Sequence, residues 1–425
     1  MWRFIRGVCL ASVLAWGVSS PAQAPKPLTW DEVKQRFEAN NPTLLAGEIG
    51  IDESKAQEVT AYLRPNPQAS VGVDQIGNTT KEPFSAATLN ASVSYLHERQ
   101  HKRELRLESA QKATGIAVAG QSDLERNLIF NLRSAFVGTL QAKAVLRVAT
   151  DNLAYWDQEL KISKDRFDAG DIARIDLDRL ELQRVQFESD LQTAEVNLRT
   201  TKIQLLMLLN DKTPVDQFDV LGLYEFTEQL PPLDQCRQIA EDNRPDLKAA
   251  VQAVDKAKTD HKLAVANGST DPTITVDAGF PTISEAYLSY QPPLREYIGA
   301  GVGIPLRIFD RNQGEKTRTQ LDIDRNQKLL DAAQAQVFSD VDSAYATVDS
   351  NLILLRPYKS QYLEQAARVR DTMKFSYEQG GAALIDFLDA QKEYRDTELN
   401  YLNLIGSYLI AAGQLNLAVG REVLP

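Results

Sequence analysis

The sequence predicts a mixed α+β membrane protein in which long helical hairpins continue into a few β-strands. Three observations lead there. An export signal opens the chain, yet no later run of about 20 apolar residues could span a bilayer as a helix. The chain repeats itself once. Each copy also sets strands of period two beside helical patterns of about 65–70 residues, roughly 100 Å of helix. That is far longer than a compact domain needs.

The signal is read from Arg3 and Arg6, the apolar run Val8–Val18, and the small residues Ser20, Ala22 and Ala24. Residues 1–24 are therefore expected to be removed, with the cut after Ala22 or Ala24. Pro25 disfavours the second position. Cys9 lacks the small-residue setting of a lipoprotein site, so no lipid anchor is expected. Cys236 is then left alone, which excludes an intrachain disulfide and suggests a small buried apolar side chain. Charged residues make up 25% and hydrophobic residues 43% of the chain, which excludes a disordered or helical membrane protein. Its formal charge of −11 becomes −11 − 2 = −13 without Arg3 and Arg6, and no basic block stands out. A nucleic-acid partner is not expected. An exported chain of this kind enters a membrane only as β-strands, and the alternative is a soluble periplasmic protein.

The duplication is legible residue by residue. The stretch from Trp30 to Leu44 recurs from Leu233 to Leu247, pairing Asp31 with Asp234, Asn40 with Asn243, Pro42 with Pro245 and Leu44 with Leu247. Further on, Phe167 pairs with Tyr377, Gly170 with Gly380, Asp176 with Asp386 and Leu209 with Val419 at a slightly larger offset. Two structural repeats are expected, 25–215 and 216–425. Thr29 is the expected N-cap of a first helix ending near Asn40. A helical stretch follows in each copy (Leu44–Leu63; Leu247–Asn267), then two strands, a very long helix (about His97–Asp165; about Asn312–Ser376) and a returning helix (Ile175–Leu209; Leu384–Val419). Pro357 falls inside the second long helix and is expected to kink it.

The strands alternate. Ala69, Val71 and Val73 oppose Ser70, Gly72 and Asp74; Ala87, Leu89, Ala91, Val93 and Tyr95 are separated by polar residues. Ile274, Val276, Ala278 and Phe280 repeat the pattern, as do Ile298, Ala300, Val302, Ile304 and Leu306. Such a sheet is wet on one face and apolar on the other, in water or in a bilayer. Four strands cannot close a barrel, for which about eight is the practical minimum. Open edges are not viable in lipid. A membrane reading therefore requires oligomerisation, and three chains would supply 12 strands.

Two turns carry the candidate functional residues. Gly380 and Gly381 separate the second long helix from its return, with Asp386 and Asp389 just beyond. Gly170 and Asp171 do the same in the first copy, with Asp176 beyond. Asp386 and Asp389 are three residues apart and share a helix face. In a three-fold assembly they would form a narrow acidic ring that favours cations. The plainer alternative is that both simply favour a helix N-terminus.

On these residues the chain resembles the TolC family of outer-membrane efflux proteins. The resemblance covers nearly the whole mature chain, and its most specific stretch is Leu384 to Gln391, LIDFLDAQ, followed by Tyr394 and Tyr401. It implies a homotrimer with a 12-stranded barrel in the outer membrane, continued by a long α-helical barrel in the periplasm. It further implies a periplasmic adaptor (membrane fusion) protein and an inner-membrane efflux pump or ABC transporter as partners, and a channel rather than an enzyme, without cofactor. By position, Asp386, Asp389 and Asp176 match acidic residues of the channel constriction, and Tyr377 matches a tyrosine of its closing network. Ala382 departs from the basic residue of better-known members. Opening would be an iris-like movement of the returning helices. The turns at Gly170, Asp171, Gly380 and Gly381 would meet the adaptor. A periplasmic adaptor or a coiled-coil scaffold without a pore is the alternative, although adaptors usually carry one hairpin rather than two in tandem.

Other motifs weigh less. The segment His97–His101, HERQH, has the form of a zinc-protease helix with Glu98 as base, but it lies at a strand–helix junction with basic flanks and no third ligand. The glycine-rich Gly299–Gly303 alternates like a strand and lacks the Lys-Ser/Thr of a phosphate loop. Tyr95, Phe280, Tyr287, Tyr290 and Tyr297 are candidates for an interfacial aromatic girdle.

Overall fold

Two chain segments, each running helix, helix, strand, strand, long helix, returning helix, lie side by side in the computed structural model. It describes residues 26–74, 78–79, 82–83, 88–281 and 296–424. The expected signal peptide, Ala87, Tyr287 and Tyr290 lie outside the described residues. The first segment comprises α1 (Trp30–Asn40), α2 (Pro42–Tyr62), β1 (Gln68–Asp74), a small hairpin of β2 (Asn78–Thr79) and β3 (Glu82–Pro83), β4 (Thr88–Leu96), α3 (Lys102–Asp168) and α4 (Arg174–Leu208). The second comprises α5 (Leu233–Asn243), α6 (Pro245–Asn267), β5 (Thr273–Pro281), β6 (Tyr297–Gly303), α7 (Gln313–Pro357), α8 (Leu363–Glu378) and α9 (Leu384–Val419).

Local chemistry explains the boundaries. Thr29 and Glu32 form a reciprocal capping box at the start of α1: Glu32 N donates to Thr29 Oγ1 at 3.4 Å and Thr29 N to Glu32 Oε2 at 2.9 Å. Asn41 caps α2, its Oδ1 accepting from Thr43 and Leu44 N, with Pro42 in the first helical position. Its Nδ2 also donates to Leu208 O at 2.9 Å, tying this corner to the end of α4. In the second segment Arg244 occupies the corresponding corner. It binds Asp246 and Asp340 and donates to Ala418 O at 3.3 Å, at the end of α9. One tie is thus made twice, by an amide and then by a guanidinium.

The 67-residue α3 runs unbroken. Its counterpart is broken, because Pro357 has no N–H to give, and a π-helical turn at Tyr358–Tyr362 separates α7 from α8. Where a kink is expected, the helix carries this π-helical turn. Near the strands the helices pack in the order α2, α3, α6, α7; at the far end the order is α4, α3, α9, α8. The four-stranded antiparallel sheet runs β1-β4-β5-β6, so each of the four near helices leads into or out of the strand of the same rank. Between the two ends, a core around Phe37, Leu132, Leu205 and Leu209 holds the first segment, and one around Val341, Leu355, Tyr408 and Leu415 holds the second. The connection between them feeds both, with Phe218 and Val220 in the first core and Phe226 in the second. Cys236 is fully buried in the second, and that burial pushes its thiol pKa up.

The sheet register separates two faces completely. Val71, Ala91, Ala278 and Ile298 stand in one cross-strand row, and Ala69, Val93, Val276 and Ala300 in another. The opposite face carries Ser70, Ser92, Asp277 and Gly299 in one row and Gln68, Ser94, Thr275 and Gly301 in the next. Two expectations need correction. β6 ends at Gly303, before Pro305, so Ile304 and Leu306 lie beyond the strand. Tyr297 pairs with Gly279 on the polar face, its hydroxyl 3.2 Å from Asn90 Oδ1, and does not belong to an apolar girdle. A Cβ at Gly279 would sit 2.2 Å from the Tyr297 ring, so glycine makes room for it.

Removing the Arg244 tie leaves two carboxylates and a buried carbonyl short of a partner. Arg244→Ala should cost about 2–3 kcal/mol, and Asn41→Ala about 1 kcal/mol, both read as shifts in chemical unfolding of the purified protein.

Candidate functional site: the paired hairpin tips

Both turns at the far end are built the same way. Gly170 and Gly380 adopt the left-handed conformation, with φ of 86° and 73°, which glycine reaches without a Cβ clash. The next residue closes the motif in each case: Asp171 N donates to Arg166 O and Gly381 N to Ser376 O, both at 2.8 Å. Ala173 and Ala383 are the N-caps of the returning helices, and neither offers a side-chain acceptor. Asp386 compensates in the second turn, its Oδ2 accepting from Ala383 N at 3.1 Å. Asp176 makes no such bond.

The structure brings the expected residues together in two groups. Asp386 and Asp389 are both exposed on one face of the first turns of α9, and Asp389 has no hydrogen-bonding or ion-pair partner among the described residues. Tyr377 and the half-buried Asp176 form the second group, where the two hairpins touch. Burial pushes the Tyr377 hydroxyl pKa up; Arg166 pulls it down less strongly, and Asp176 adds to the rise. The hydroxyl itself is buried without a hydrogen-bond partner. Gly170, Asp171, Gly380 and Gly381 are exposed at the outermost point of the turns.

Aromatic packing joins the hairpins. Phe387 lies between Tyr377, at 5.7 Å and 6° between planes, and Trp156, at 6.1 Å and 10°. Trp156 is fully buried and donates from Nε1 to Leu180 O at 3.0 Å, locking α3 to α4. Charged residues reinforce this seam, and the sequence reading did not find them. Arg166 lies over the Tyr377 ring at 5.4 Å, so the cation of this turn comes from the other hairpin rather than from position 382. Lys374 binds the buried Glu159 carboxylate, Arg395 reaches Asp190 at 3.3 Å, and Arg370 stacks over Tyr394 at 4.0 Å. The two ion pairs join helices far apart in sequence, and no local spacing announces them.

Burial alone would pull the Lys374 ammonium pKa down. Its bond to Glu159 and the neighbouring Tyr155, Glu159 and Glu378 carry it above its ordinary value instead. Glu398 on α9 shows the opposite balance, since burial raises its carboxyl pKa, Arg370 opposes this, and Asp151 adds to it.

The zinc-protease reading fails on geometry. His97–Gln100 precede the helix and His101 is its left-handed N-cap, so the two histidines do not share a helix face. Glu98 is engaged by Arg106. Among the described residues no cluster of three or more His, Cys, Asp or Glu could hold a metal.

Two outcomes follow for the seam. Lys374→Ala strands a buried carboxylate and should destabilise the hairpin contact by about 3 kcal/mol, while the double change Lys374→Met with Glu159→Gln should recover most of it in a double-mutant cycle. The Glu398 penalty exists only when the group is ionised; it is full above the raised folded pKa and vanishes below the unfolded one. Glu398→Gln should therefore raise thermal stability at pH 7 and leave it nearly unchanged at pH 4.

Residues 236–421 match the model of the family described as Outer membrane efflux protein. Over 402 residues the chain is 23% identical to the cobalt-zinc-cadmium resistance protein CzcC of Cupriavidus metallidurans, covering 94% of this chain and 92% of that one. It is 20% identical to the outer membrane protein TolC of Vibrio cholerae, covering 92% and 90%. The solved structure of CusC superposes with a TM-score of 0.77 at 16% identity, over 92% of each chain. Residues 236–421 thus carry the signature of the outer membrane efflux protein family, and the chain as a whole has a TolC-like fold.

Proposed function

We propose that three copies of this chain form one continuous duct, a 12-stranded barrel in the outer membrane prolonged by a helical barrel in the periplasm, and that it is the exit channel for small molecules or ions in an efflux or type I secretion system. The observation that carries this is the four-stranded sheet with one wholly apolar face, one polar face and two open edges. Such a sheet is stable in lipid only when β1 of one copy pairs with β6 of the next. Eight strands would leave an interior filled by side chains, whereas 12 leave a lumen.

The helices support the same closure. On the α2/α4 side, Ile49, Val59, Leu182, Val196 and Met207 are exposed; on the α7/α8 side, so are Leu321, Leu329, Leu354 and Phe375. These two sides lie beneath β1 and β6 respectively, so one rotation closes strands and helices together. The interface is head-to-tail, the kind that generates a ring. The two structural repeats, 25–215 and 216–425, then supply six near-equivalent units around it.

At the inner end, Asp386 and Asp389 from each copy would line the constriction, with Asp176 and Tyr377 at the seam that must loosen for it to widen. The turns at Gly170, Asp171, Gly380 and Gly381 are the contact offered to a periplasmic adaptor, and an inner-membrane pump would drive transport. The channel acts by conduction and not by catalysis.

Two measurements test this reading. Val276→Arg, on the apolar face, should cost about 2–4 kcal/mol of membrane assembly, while Thr275→Arg on the polar face should assemble normally. Recovery of the wild-type protein only from a soluble periplasmic fraction would overturn the channel. In reconstituted trimers, Asp386→Ala with Asp389→Ala should weaken cation preference severalfold at low salt; unchanged selectivity would place these aspartates outside the lumen.

A further inference from the structure

At the helix-facing end of the sheet the chain carries a concentration of unpaired arginines. β1 begins at Gln68, β4 ends at Leu96, β5 begins at Thr273 and β6 ends at Gly303, and the register places all four positions at one end. Around that end, Lys102 is committed to Asp271 at 2.6 Å, Arg103 to Glu104, and Arg106 to Glu98. Arg64, Arg99, Arg307 and Arg311 have side chains with no ion-pair or hydrogen-bond partner among the described residues. Arg64, Arg99 and Arg311 are exposed, and Arg307 keeps a buried Nε without an acceptor. The one acid beside Arg311, Asp310, accepts from Asn312 N. This cationic collar belongs to a chain with a formal charge of −11.

The depth of the collar follows from strand length. β4 and β5 have nine residues each, about 30 Å at ~3.3 Å per residue. Tilted by about 40°, they span roughly 23 Å, close to the ~25 Å apolar band of an outer-membrane barrel. Among the described residues no further strand continues past Leu96 or Gly303 toward the helices, so the residues just beyond them stand at the headgroup layer of the periplasmic leaflet. Phe309 and Leu306, 89% and 80% exposed, lie in the same segment as Arg307 and Arg311. Apolar anchors beside cations are what an interfacial segment presents to lipid. A cleft of about 330 Å³ opens at this level, with Arg64, Tyr95, His97 and His101 in its wall beside Glu98 and Glu104, each of which is paired to an arginine.

We infer that this collar is a binding site for anionic phospholipid headgroups of the periplasmic leaflet, shared between neighbouring copies. The inference rests on the trimeric membrane reading above: pairing β1 with the next copy's β6 sets Arg64 and its cleft beside Arg307 and Arg311 of the neighbour. Guanidinium groups not held in an ion pair offer paired N–H donors to a phosphodiester. Lipid phosphate is the one anion always present at that depth.

The test is lipid retention by the purified trimer, measured by native mass spectrometry after incubation with an equimolar mixture of phosphatidylglycerol and phosphatidylcholine. The wild type should retain phosphatidylglycerol in preference, by roughly fivefold per engaged arginine. The triple variant Arg64→Gln, Arg99→Gln, Arg311→Gln should fall to near parity. A charge-matched control, Arg147→Gln, Arg199→Gln, Arg325→Gln, alters exposed helix arginines away from the collar and should keep the preference. Parity in the wild type, or equal loss in the control, would overturn the site. Trimer assembly and conductance are recorded on the same samples. They should be unchanged in all three proteins, and their loss in the wild type would count against the channel itself rather than the lipid site.

Discussion

An open sheet edge cannot sit in hydrocarbon, and most of this architecture depends on that constraint. Each unpaired N–H or C=O on β1 and β6 would cost several kcal/mol without water to bind it. One chain supplies too few strands to close on itself, so its edges must find each other on different copies. The helices inherit the requirement, because every helix near the sheet is covalently continuous with a strand of the same rank. A ring of strands therefore imposes a ring of helices beneath it.

The far end faces a different demand. A duct that opens needs a contact between hairpins that is specific yet breakable. The seam around Phe387 combines a stacked aromatic run with ion pairs that are only partly buried, and it leaves the Tyr377 hydroxyl and the side chain of Gln391 without hydrogen bonds. Unsatisfied buried polar atoms lower the stability of the arrangement that contains them. Trp156, held to Leu180 O, ties α3 to α4 within the first hairpin, and Phe387 of the second hairpin stacks on it.

The duplication shows how a fold keeps a contact while changing its chemistry. Asn41 and Arg244 are different side chains at equivalent corners, and each donates to a carbonyl in the last turn of the returning helix of its own segment. The tip turns diverge in the same manner. Both glycines keep their left-handed conformation, but only the second copy uses its aspartate to cap. Asp386 therefore has a structural task at the helix start as well as its place on the exposed face with Asp389. The plainer reading of that residue and the functional one are compatible.

The sequence by itself determined the elements, their order and the two faces of the sheet, because each is set by local pattern. Period-two alternation fixes which residues share a face, capping residues and glycines fix helix ends, and Pro357 fixes the break, all through interactions within a few residues. Family resemblance then rested on LIDFLDAQ and the duplicated corners. Tertiary structure alone decided which charges meet. Lys374 with Glu159, Arg166 with Tyr377 and Arg395 with Asp190 join helices from different copies of the repeat, so no spacing along the chain predicts them. It also decided that His97 and His101 do not share a helix face, because the chain turns through a left-handed residue before α3 begins. The collar of unpaired arginines was invisible for the same reason. Its members come from three separate segments, and they become one site only where the ends of four strands are gathered.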